Sequence, residues 1–396
     1  MSKKIIFLAV LIVGIIGAIY YLNSMKATSS DKNSVEENKI QNPGQLNNQN
    51  IPNGGTKEIK EYVPDEQAVK EKSLKFQEAP ELAGIAGYIN TNPDIKIKDL
   101  KGKVVLVDFW TYTCINCIRT LPYLKSWHEQ YNDEGLVIIG VHTPEFEFEK
   151  DYDNVKSAAE KYQLEYSIVQ DNDYSTWRAY KNRYWPRKYL VDIDGFIRYD
   201  HIGEGSYDET EKMIRELLKE RMGRSGDGKI EEDMAAPSNV ADVEFEKVGT
   251  PEIYFGYEFT RGNFGNPEGL EAEKIIDYKI PIIVKPNNVY LDGKWKINKD
   301  NVELVGENGR IILGYDAKTV NIVAGSASGS EVRVTVDTRY VDDSSKGIDV
   351  LIQNNKSSAK VKDERLYNLV DYEYGKGLLE LRINGKGFKI YTFTFG

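Results

Sequence analysis

The alternation of apolar and polar positions divides the chain into five stretches. An unbroken apolar run closes at residue 22, and a polar stretch rich in Asn, Ser, Lys, Glu and Gln occupies residues 23–76. Residues 77–221 alternate strand-like and helix-like patterns, residues 222–247 are again polar, and residues 248–396 hold short β-type runs. These patterns predict a membrane anchor, a flexible stalk, an α/β domain, a linker and an all-β domain.

The apolar run from Ile5 to Leu22 has the length of a membrane span. At about 1.5 Å of rise per residue, such a helix nearly crosses a hydrocarbon core of roughly 30 Å. Lys3 and Lys4 precede it, which favours a cytoplasmic N-terminus. A cleaved signal peptide is the alternative, although its apolar region usually has about 7 to 15 residues. With either an anchor or a signal peptide, we expect both domains to be extracytoplasmic. An uncleaved anchor would make the chain a single-pass membrane protein.

The C-terminal stretch predicts a β-sandwich or jelly roll, because strand-like runs alternate with Asp-Gly and Asn-Gly turn signals. The runs are Asn288–Ile297, Val302–Val305, Arg310–Leu313, Thr319–Val323, Glu331–Asp337, Ile348–Gln353, Leu378–Ile383 and Phe388–Phe395. Tyr290 and Trp295 flank one such turn, and exposed aromatic rings there would stack on a sugar. Packing inside the domain is the other explanation, so a glycan is a possible ligand only.

Charge and cysteine content narrow the function. A net charge of −10 argues against a nucleic-acid partner, which usually requires a basic face. The two cysteines, Cys114 and Cys117, form a Cys-x-x-Cys pair. So short a loop makes a weak structural staple, and the three histidines are not spaced to complete a zinc site. We therefore predict a redox-active disulfide, with no metal and no other cofactor.

The segment around the cysteines predicts how that pair works. The apolar run from Lys103 to Trp110 is typical of a strand buried on both faces, and Asp108 interrupts it. After a short loop, Cys114 begins an amphipathic helix, where the unpaired N–H groups stabilise a thiolate. Cys114 is thus the expected attacking sulfur and Cys117 the shielded, resolving one. Asp108 should take the proton of Cys117, unless it only caps a neighbouring element.

These stretches resemble thioredoxin and, in more detail, the thioredoxin-like domain of the DipZ family, relatives of TlpA and ResA. The resemblance covers nearly all of residues 80–220 and continues through the β domain. The matching stretches are Val107–Leu124 (VDFWTYTCINCIRTLPYL, with Pro122 inside the helix), Val141–Phe146 (VHTPEF), Asn182–Pro186 (NRYWP) and Gly203–Tyr207 (GEGSY).

The resemblance implies a thioredoxin-like fold and a thiol–disulfide oxidoreductase. It also implies that Trp185 and Pro186 form a cis-proline loop that faces the cysteines and holds the substrate chain. Trp110 and Tyr112 flank the redox pair and are expected to shape its rim, with ordinary packing as the alternative. His142 and Glu145 follow a strand and either approach the cysteines or stabilise a loop.

The same resemblance suggests the partners: disulfide-containing exported proteins, among them apocytochromes c. Many relatives carry a CcdA-type membrane module that supplies electrons, and here that donor would be a separate protein. Ile115-Asn116 replaces the Gly-Pro of thioredoxin, so the direction of electron flow stays open, and thiol oxidation or isomerisation is the main alternative. A peroxiredoxin-like peroxidase would need proline where Val107 stands. A carbohydrate-binding surface protein with a vestigial redox domain would not need an intact redox site.

Overall fold

The computed structural model describes residues 62–226, 233–241 and 243–396. The membrane segment that we predict from the sequence lies outside these residues. Within them, no helix is both long enough and apolar enough to cross a membrane.

The first domain is a six-stranded mixed sheet flanked by helices, with the strand order β1-β4-β3-β2-β5-β6. Its strands are β1 (Gly87–Ile89), β2 (Val104–Trp110), β3 (Leu136–His142), β4 (Ser167–Gln170), β5 (Arg187–Val191) and β6 (Ile197–Ile202). Its helices are α1 (Glu66–Ser73), α2 (Ile115–Tyr131), α3 (Tyr152–Lys161), α4 (Ser175–Ala179) and α5 (Tyr207–Ser225). This arrangement confirms the predicted thioredoxin-like α/β domain.

Strand β2 lies at the centre of the sheet and positions the functional side chains. It pairs in parallel with β3 and antiparallel with β5, and all seven of its residues are buried. Such a strand needs apolar side chains on both faces. Because α2 begins only a few residues after β2 ends, the chain must place the start of α2 at the carboxyl edge of the sheet. Ligands of open α/β sheets bind at this edge.

Helix α1 corrects the prediction of a flexible stalk up to residue 76. Its Lys72 ammonium lies among three carboxylates, 2.7 Å from Asp192 and 2.5 Å from Asp194, and it also contacts Glu220. The carboxylate oxygens of these three residues are close enough to share a metal ion, but the lysine lies among them. The sequence predicted that the charged residues of this segment are exposed to solvent, because their partners lie more than a hundred positions away in the chain.

The second domain is an eleven-stranded antiparallel sheet, which confirms its predicted β-rich character. Its strands are β7 (Ile253–Tyr254), β8 (Ile275–Tyr278), β9 (Val289–Ile297), β10 (Val302–Leu304), β11 (Asn308–Gly325), β12 (Ser330–Val336), β13 (Arg339–Tyr340), β14 (Val350–Gln353), β15 (Lys356–Val361), β16 (Arg365–Asn384) and β17 (Lys389–Phe395).

Two long strands distinguish this sheet from the eight separate runs that we predict. Strand β11 contains both the Arg310–Leu313 and Thr319–Val323 runs, and β16 extends the Leu378–Ile383 run back to Arg365. The two strands pair along nearly their whole length through irregularities in register. Because β11 also pairs with β9 and β17, hydrogen bonds connect all the strands. The first half of β16 is polar and contains glycines, so its sequence does not predict a strand. It forms one because its backbone N–H and C=O groups pair with those of β11.

Tyr290 and Trp295, the two aromatic residues that suggested a glycan, are buried in this domain (2% and 0% exposed). The Trp295 indole N–H donates to the carbonyl of Asp292 at 3.0 Å. Packing is thus the observed role of both rings, because neither presents a free face for stacking on a sugar.

An aromatic cluster joins the two domains. Phe146 of the first domain is 1% exposed and lies 5.1 Å, centroid to centroid, from Tyr391. The neighbouring Phe148 lies 4.7 Å from the same ring, and Phe259 lies 5.8 Å from Phe146. Phe146 and Phe148 come directly after β3, close in sequence to the redox edge of the sheet, so the second domain packs beside that edge.

We expect Phe146→Ala to lower the free energy of unfolding by about 3 kcal/mol, because it leaves a cavity among buried rings. Denaturant titration followed by tryptophan fluorescence measures this loss. The matched control is Ile348→Ala, whose side chain is 89% exposed and which should change stability by less than about 0.5 kcal/mol. Equal effects of the two substitutions would show that the cluster does not hold the domains together.

Candidate active site

Cys114 and Cys117 occupy the start of α2. Cys114 is the N-cap residue with an extended backbone (φ −73°, ψ 113°), and its Sγ accepts a hydrogen bond from the Cys117 backbone N–H at 3.2 Å. The first N–H groups of a helix have no partner within it and stabilise negative charge. Cys114 is partly exposed, whereas Cys117 is 1% exposed, and both are free thiols. The pair therefore offers one reachable sulfur and one shielded sulfur.

Asp108 lies in the middle of β2 with its side chain buried. Its Oδ1 has no hydrogen-bond partner among the residues that the structure describes. Burial raises the pKa of Asp108 to about 7, and the positive charge of Lys188 opposes this rise. Burial also raises the pKa of Cys117 well above that of an ordinary thiol, with Cys114 and Asp108 adding to the effect. The negative charge of Asp108 thus adds to the rise in the pKa of the resolving thiol, and a carboxyl group whose pKa lies near neutral can act as a proton acceptor.

Two buried polar side chains hold the loop between β2 and α2. The Thr111 hydroxyl lies 3.2 Å from Nε2 of His142, and the Thr113 hydroxyl donates to Glu149 at 2.5 Å. Glu149 also accepts from two backbone N–H groups just upstream of it, at 2.6 and 3.0 Å. Burial raises the pKa of Glu149, and these hydrogen bonds oppose the rise. These hydrogen bonds from buried side chains therefore hold the loop that precedes Cys114 in place.

The structure places the two other polar candidates, His142 and Glu145, in different roles. His142 contacts the redox loop, stacks on Tyr112 with ring centroids 5.7 Å apart, and has its pKa lowered to about 3 by burial. A neutral imidazole supports this loop and carries no charge to the cysteines. Glu145 faces the second domain, where its charge interacts with Tyr254, and burial raises its pKa to about 8.

The aromatic residues that flank the cysteines differ in exposure. Trp110 is fully buried, with its ring edge against His142, so its expected place on the rim is wrong. The indole fills space beside Gly140 in the neighbouring strand, where a Cβ would lie 3.0 Å from its Nε1. Tyr112 is 5% exposed, and its hydroxyl donates to the carbonyl of Glu364 at 3.4 Å. Tyr112 thus connects the redox loop to the second domain.

The Trp185–Pro186 peptide bond is cis, as the family resemblance implies. The Pro186 carbonyl accepts from the Gly203 N–H at 2.8 Å, and the Trp185 indole N–H donates to the Thr143 carbonyl at 3.1 Å. Trp185 packs against the same hydrophobic cluster as Cys114, and it is only partly buried. Its ring also lies 4.3 Å, centroid to centroid, from Trp177 of a second hydrophobic cluster, so Trp185 contacts both clusters.

A groove of about 650 Å³ runs between the two domains next to Tyr112. Its first-domain wall includes Lys161 and Tyr162 at the end of α3, and its second-domain wall includes Glu364 and Arg365 at the start of β16. The redox loop therefore lies beside a cleft to which both domains contribute.

Two family models match the chain: the AhpC/TSA family over residues 77–200 and a thioredoxin-like C-terminal domain over residues 250–396. Protein DipZ of Mycobacterium bovis is 41% identical over 251 residues, which are 62% of this chain and 35% of that protein. The chain is a DipZ/TlpA-like thioredoxin-like protein. It spans about a third of the length of the DipZ proteins that it matches.

Two smaller relatives bear on the chemistry of this DipZ-like chain. The thiol-disulfide oxidoreductase YkuV of Bacillus subtilis is 28% identical over 145 residues, 36% of this chain and 96% of YkuV. The thiol-disulfide oxidoreductase ResA of Bacillus cereus is 28% identical over 153 residues, 38% of this chain and 82% of ResA. The first domain is accordingly that of a thiol–disulfide oxidoreductase.

Sequence reasoning missed three residues of the DipZ-like site. Glu149 lies in an acidic run that reads as surface, and only its contact with Thr113 identifies it. Arg119 is 8% exposed and binds Glu204 through Nη2 at 2.7 Å, which ties the redox helix to the loop before α5. Lys188 is fully buried near Asp108. The only sign of Lys188 in the sequence was that a lysine occurs within the strand-like run after Pro186.

We expect Glu149→Gln to lower the free energy of unfolding by about 2 kcal/mol, because the amide supplies one oxygen where the carboxylate accepts three hydrogen bonds. Denaturant titration at pH 7 measures the loss. Glu147→Gln is the control: that side chain is 78% exposed and pairs with Lys150, so its loss should stay within about 0.5 kcal/mol. A Glu149 variant as stable as the control would contradict this role of the carboxylate.

Proposed function

We propose that this DipZ-like chain is an extracytoplasmic disulfide reductase that delivers electrons to exported proteins. It acts through Cys114 and Cys117, with the disulfide between them as its only redox group. Apocytochromes c are the proposed clients, and a separate CcdA-type membrane protein is the proposed electron donor. The apolar run from Ile5 to Leu22 would anchor the chain with both domains on the outer side of the membrane.

One observation carries the proposal: a reachable sulfur at a helix N-terminus stands next to a shielded sulfur, with a buried carboxyl group nearby. A thiolate at the exposed position attacks a client disulfide, because the thiolate is the nucleophilic form of cysteine. The shielded thiol reacts only afterwards, inside the complex. This order prevents release of a half-reduced client.

The chemistry takes two steps. The Cys114 thiolate bonds to one sulfur of the client disulfide, and the other client sulfur leaves as a thiolate. Asp108 then accepts the proton of Cys117, whose thiolate attacks Cys114 and releases the second client thiol. The client gains two electrons and the enzyme is left with the Cys114–Cys117 disulfide, which the membrane donor reduces.

The loop at Trp185 and Pro186 is the proposed docking edge for the client chain. Trp185 is only partly buried and packs against the same hydrophobic cluster as Cys114, which supports this role. A client segment bound there in an extended form would present its disulfide to Cys114. Tyr112 borders the interdomain groove and would limit which clients fit.

Substitution of each cysteine tests this order of attack. We expect Cys117→Ser to retain a client on Cys114 as a stable mixed disulfide and to lose more than about 99% of turnover, because no resolving thiol remains. Cys114→Ser should neither turn over nor trap a client. Insulin reduction measures turnover, and nonreducing gels with mass spectrometry detect the trapped adduct. If only Cys114→Ser trapped a client, the assigned roles would be reversed.

The reduction potential of the Cys114–Cys117 pair tests the direction of electron flow. We expect a value at or below about −230 mV, as in thioredoxin-like reductants. Equilibration of the full chain in thiol redox buffers, with alkylation to count free thiols, measures it. A value of about −120 to −180 mV would overturn the reductase and favour oxidation or isomerisation by the same residues.

A further inference from the structure

Three arginines lie side by side on the outer face of the second domain. Arg310 of β11 is directly opposite Arg382 of β16, and Arg382 is directly opposite Arg333 of β12. The residues that follow Arg310 and precede Arg382, Ile311 and Leu381, are fully buried, so the arginine side chains project away from the core. Because neighbouring strands are about 4.8 Å apart, this arginine row spans roughly 10 Å.

Carboxylates of the protein neutralise only the Arg310 end of the row. Arg310 Nη2 lies 3.4 Å from Asp292, and its Nη1 lies 3.3 Å from Glu380. The same oxygen of Glu380 accepts from Nε of Arg382 at 2.9 Å. One carboxylate thus serves two arginines, although like charges that are directly opposed across strands destabilise a sheet.

The other end of the row has free donors. The Nε atom of Arg333 lies 3.9 Å from Glu331, which is too long for a hydrogen bond, and water screens a pair so exposed. The terminal nitrogens of Arg382 and Arg333 have no hydrogen-bond acceptor among the residues that the structure describes. These side chains are 62% and 44% exposed. Two guanidinium groups therefore present unpaired N–H donors to the solvent side by side.

A groove of about 460 Å³ opens over the arginine row. Asn308 and Asn384 oppose each other two positions along the same strands, so their amides lie on the same face as the arginines. Asp292 is the one carboxylate in the lining among the described residues, whereas four side chains there carry a positive charge: Lys279, Arg310, Arg333 and Arg382. This lining favours an anionic ligand.

We propose that this groove binds a linear polyanion that carries several phosphate groups, with the arginine row as the recognition element. A phosphate has acceptor oxygens that point in several directions, so it accepts from two neighbouring guanidinium groups, whereas a planar carboxylate matches the fork of one. A row of roughly 10 Å is longer than a single phosphate and favours several phosphates in line. Binding involves no covalent step and does not depend on the redox pair.

Calorimetric titration of the full chain with tripolyphosphate, in non-ionic detergent at low salt, tests the proposal. We expect Arg382→Gln and Arg333→Gln each to weaken binding about tenfold, because each removes a charge-assisted hydrogen bond. The matched control is Arg339→Gln, which removes an exposed arginine of β13 outside the row and should change binding by less than about twofold. No binding of tripolyphosphate, or equal effects of Arg339→Gln and Arg382→Gln, would overturn the proposal.

Three other anions test the chemical class of the ligand. Inorganic phosphate and glycerol 3-phosphate, which has the headgroup chemistry of an anionic phospholipid, should bind at least about tenfold more weakly than tripolyphosphate, because one phosphate reaches fewer arginines. Citrate should also bind more weakly, because its carboxylates are planar. Equal affinity for either monophosphate would overturn a ligand with several phosphates, and equal affinity for citrate would overturn the choice of phosphate.

Glu380→Gln should have the opposite effect. This substitution removes the carboxylate that Arg310 and Arg382 share, so tripolyphosphate should bind at least about twofold more tightly. A loss of folded protein cannot produce such a gain, so the result separates recognition by the row from a structural effect. Weaker binding by Glu380→Gln than by the wild type would overturn the role of the arginine row.

Discussion

The burial of a carboxyl group in the central strand is the constraint on which the rest of the site depends. Asp108 occupies a position of β2 where both faces are covered, so water cannot solvate its charge. Its protonation then responds to two neighbours, Lys188 across the ladder and Cys117 in the helix above. Moving the carboxyl group to the surface would return its pKa towards its ordinary range and uncouple it from both. Because burial disfavours the charged form, the pKa of Asp108 rises to about 7, and the group can exchange a proton near neutral pH.

The second domain contacts the segment that carries the redox pair. Tyr112 reaches it through the Glu364 carbonyl, and the ring of Phe146 inserts between aromatic residues of both domains. The C-terminal residue Gly396 also lies next to Arg119 of the redox helix, where a Cβ on the glycine would be 2.7 Å from Nη1. These contacts touch the loop before Cys114 and the helix after Cys117. The second domain therefore contacts the redox segment on both sides of the cysteine pair.

Errors in the sequence-based predictions have a common physical cause. The sequence predicted that the α1 segment is part of a flexible stalk and that Trp110 shapes the rim of the redox site. It did not identify Glu149 as a site residue. In each case the deciding partner lies far away in the chain: Asp194 for α1, Gly140 for Trp110, and the Thr113 hydroxyl for Glu149. Polarity alone cannot separate a solvated charge from a paired one. The long strand β16 escaped prediction likewise, because its polar half is stabilised by pairing with β11.

Sequence alone determined the local features: the buried strand with Asp108, the helix that begins at Cys114, the Cys-x-x-Cys spacing, and the alternation that separates an α/β domain from a β-rich one. These follow from periodicity and from the chemistry of residues that are close in the chain. Tertiary structure alone decided which charges meet. The register of β2 against β5 places Lys188 beside Asp108, and the docking of the second domain encloses Tyr112. Pairing across eighty positions leaves no local periodicity, so only the folded chain reveals it.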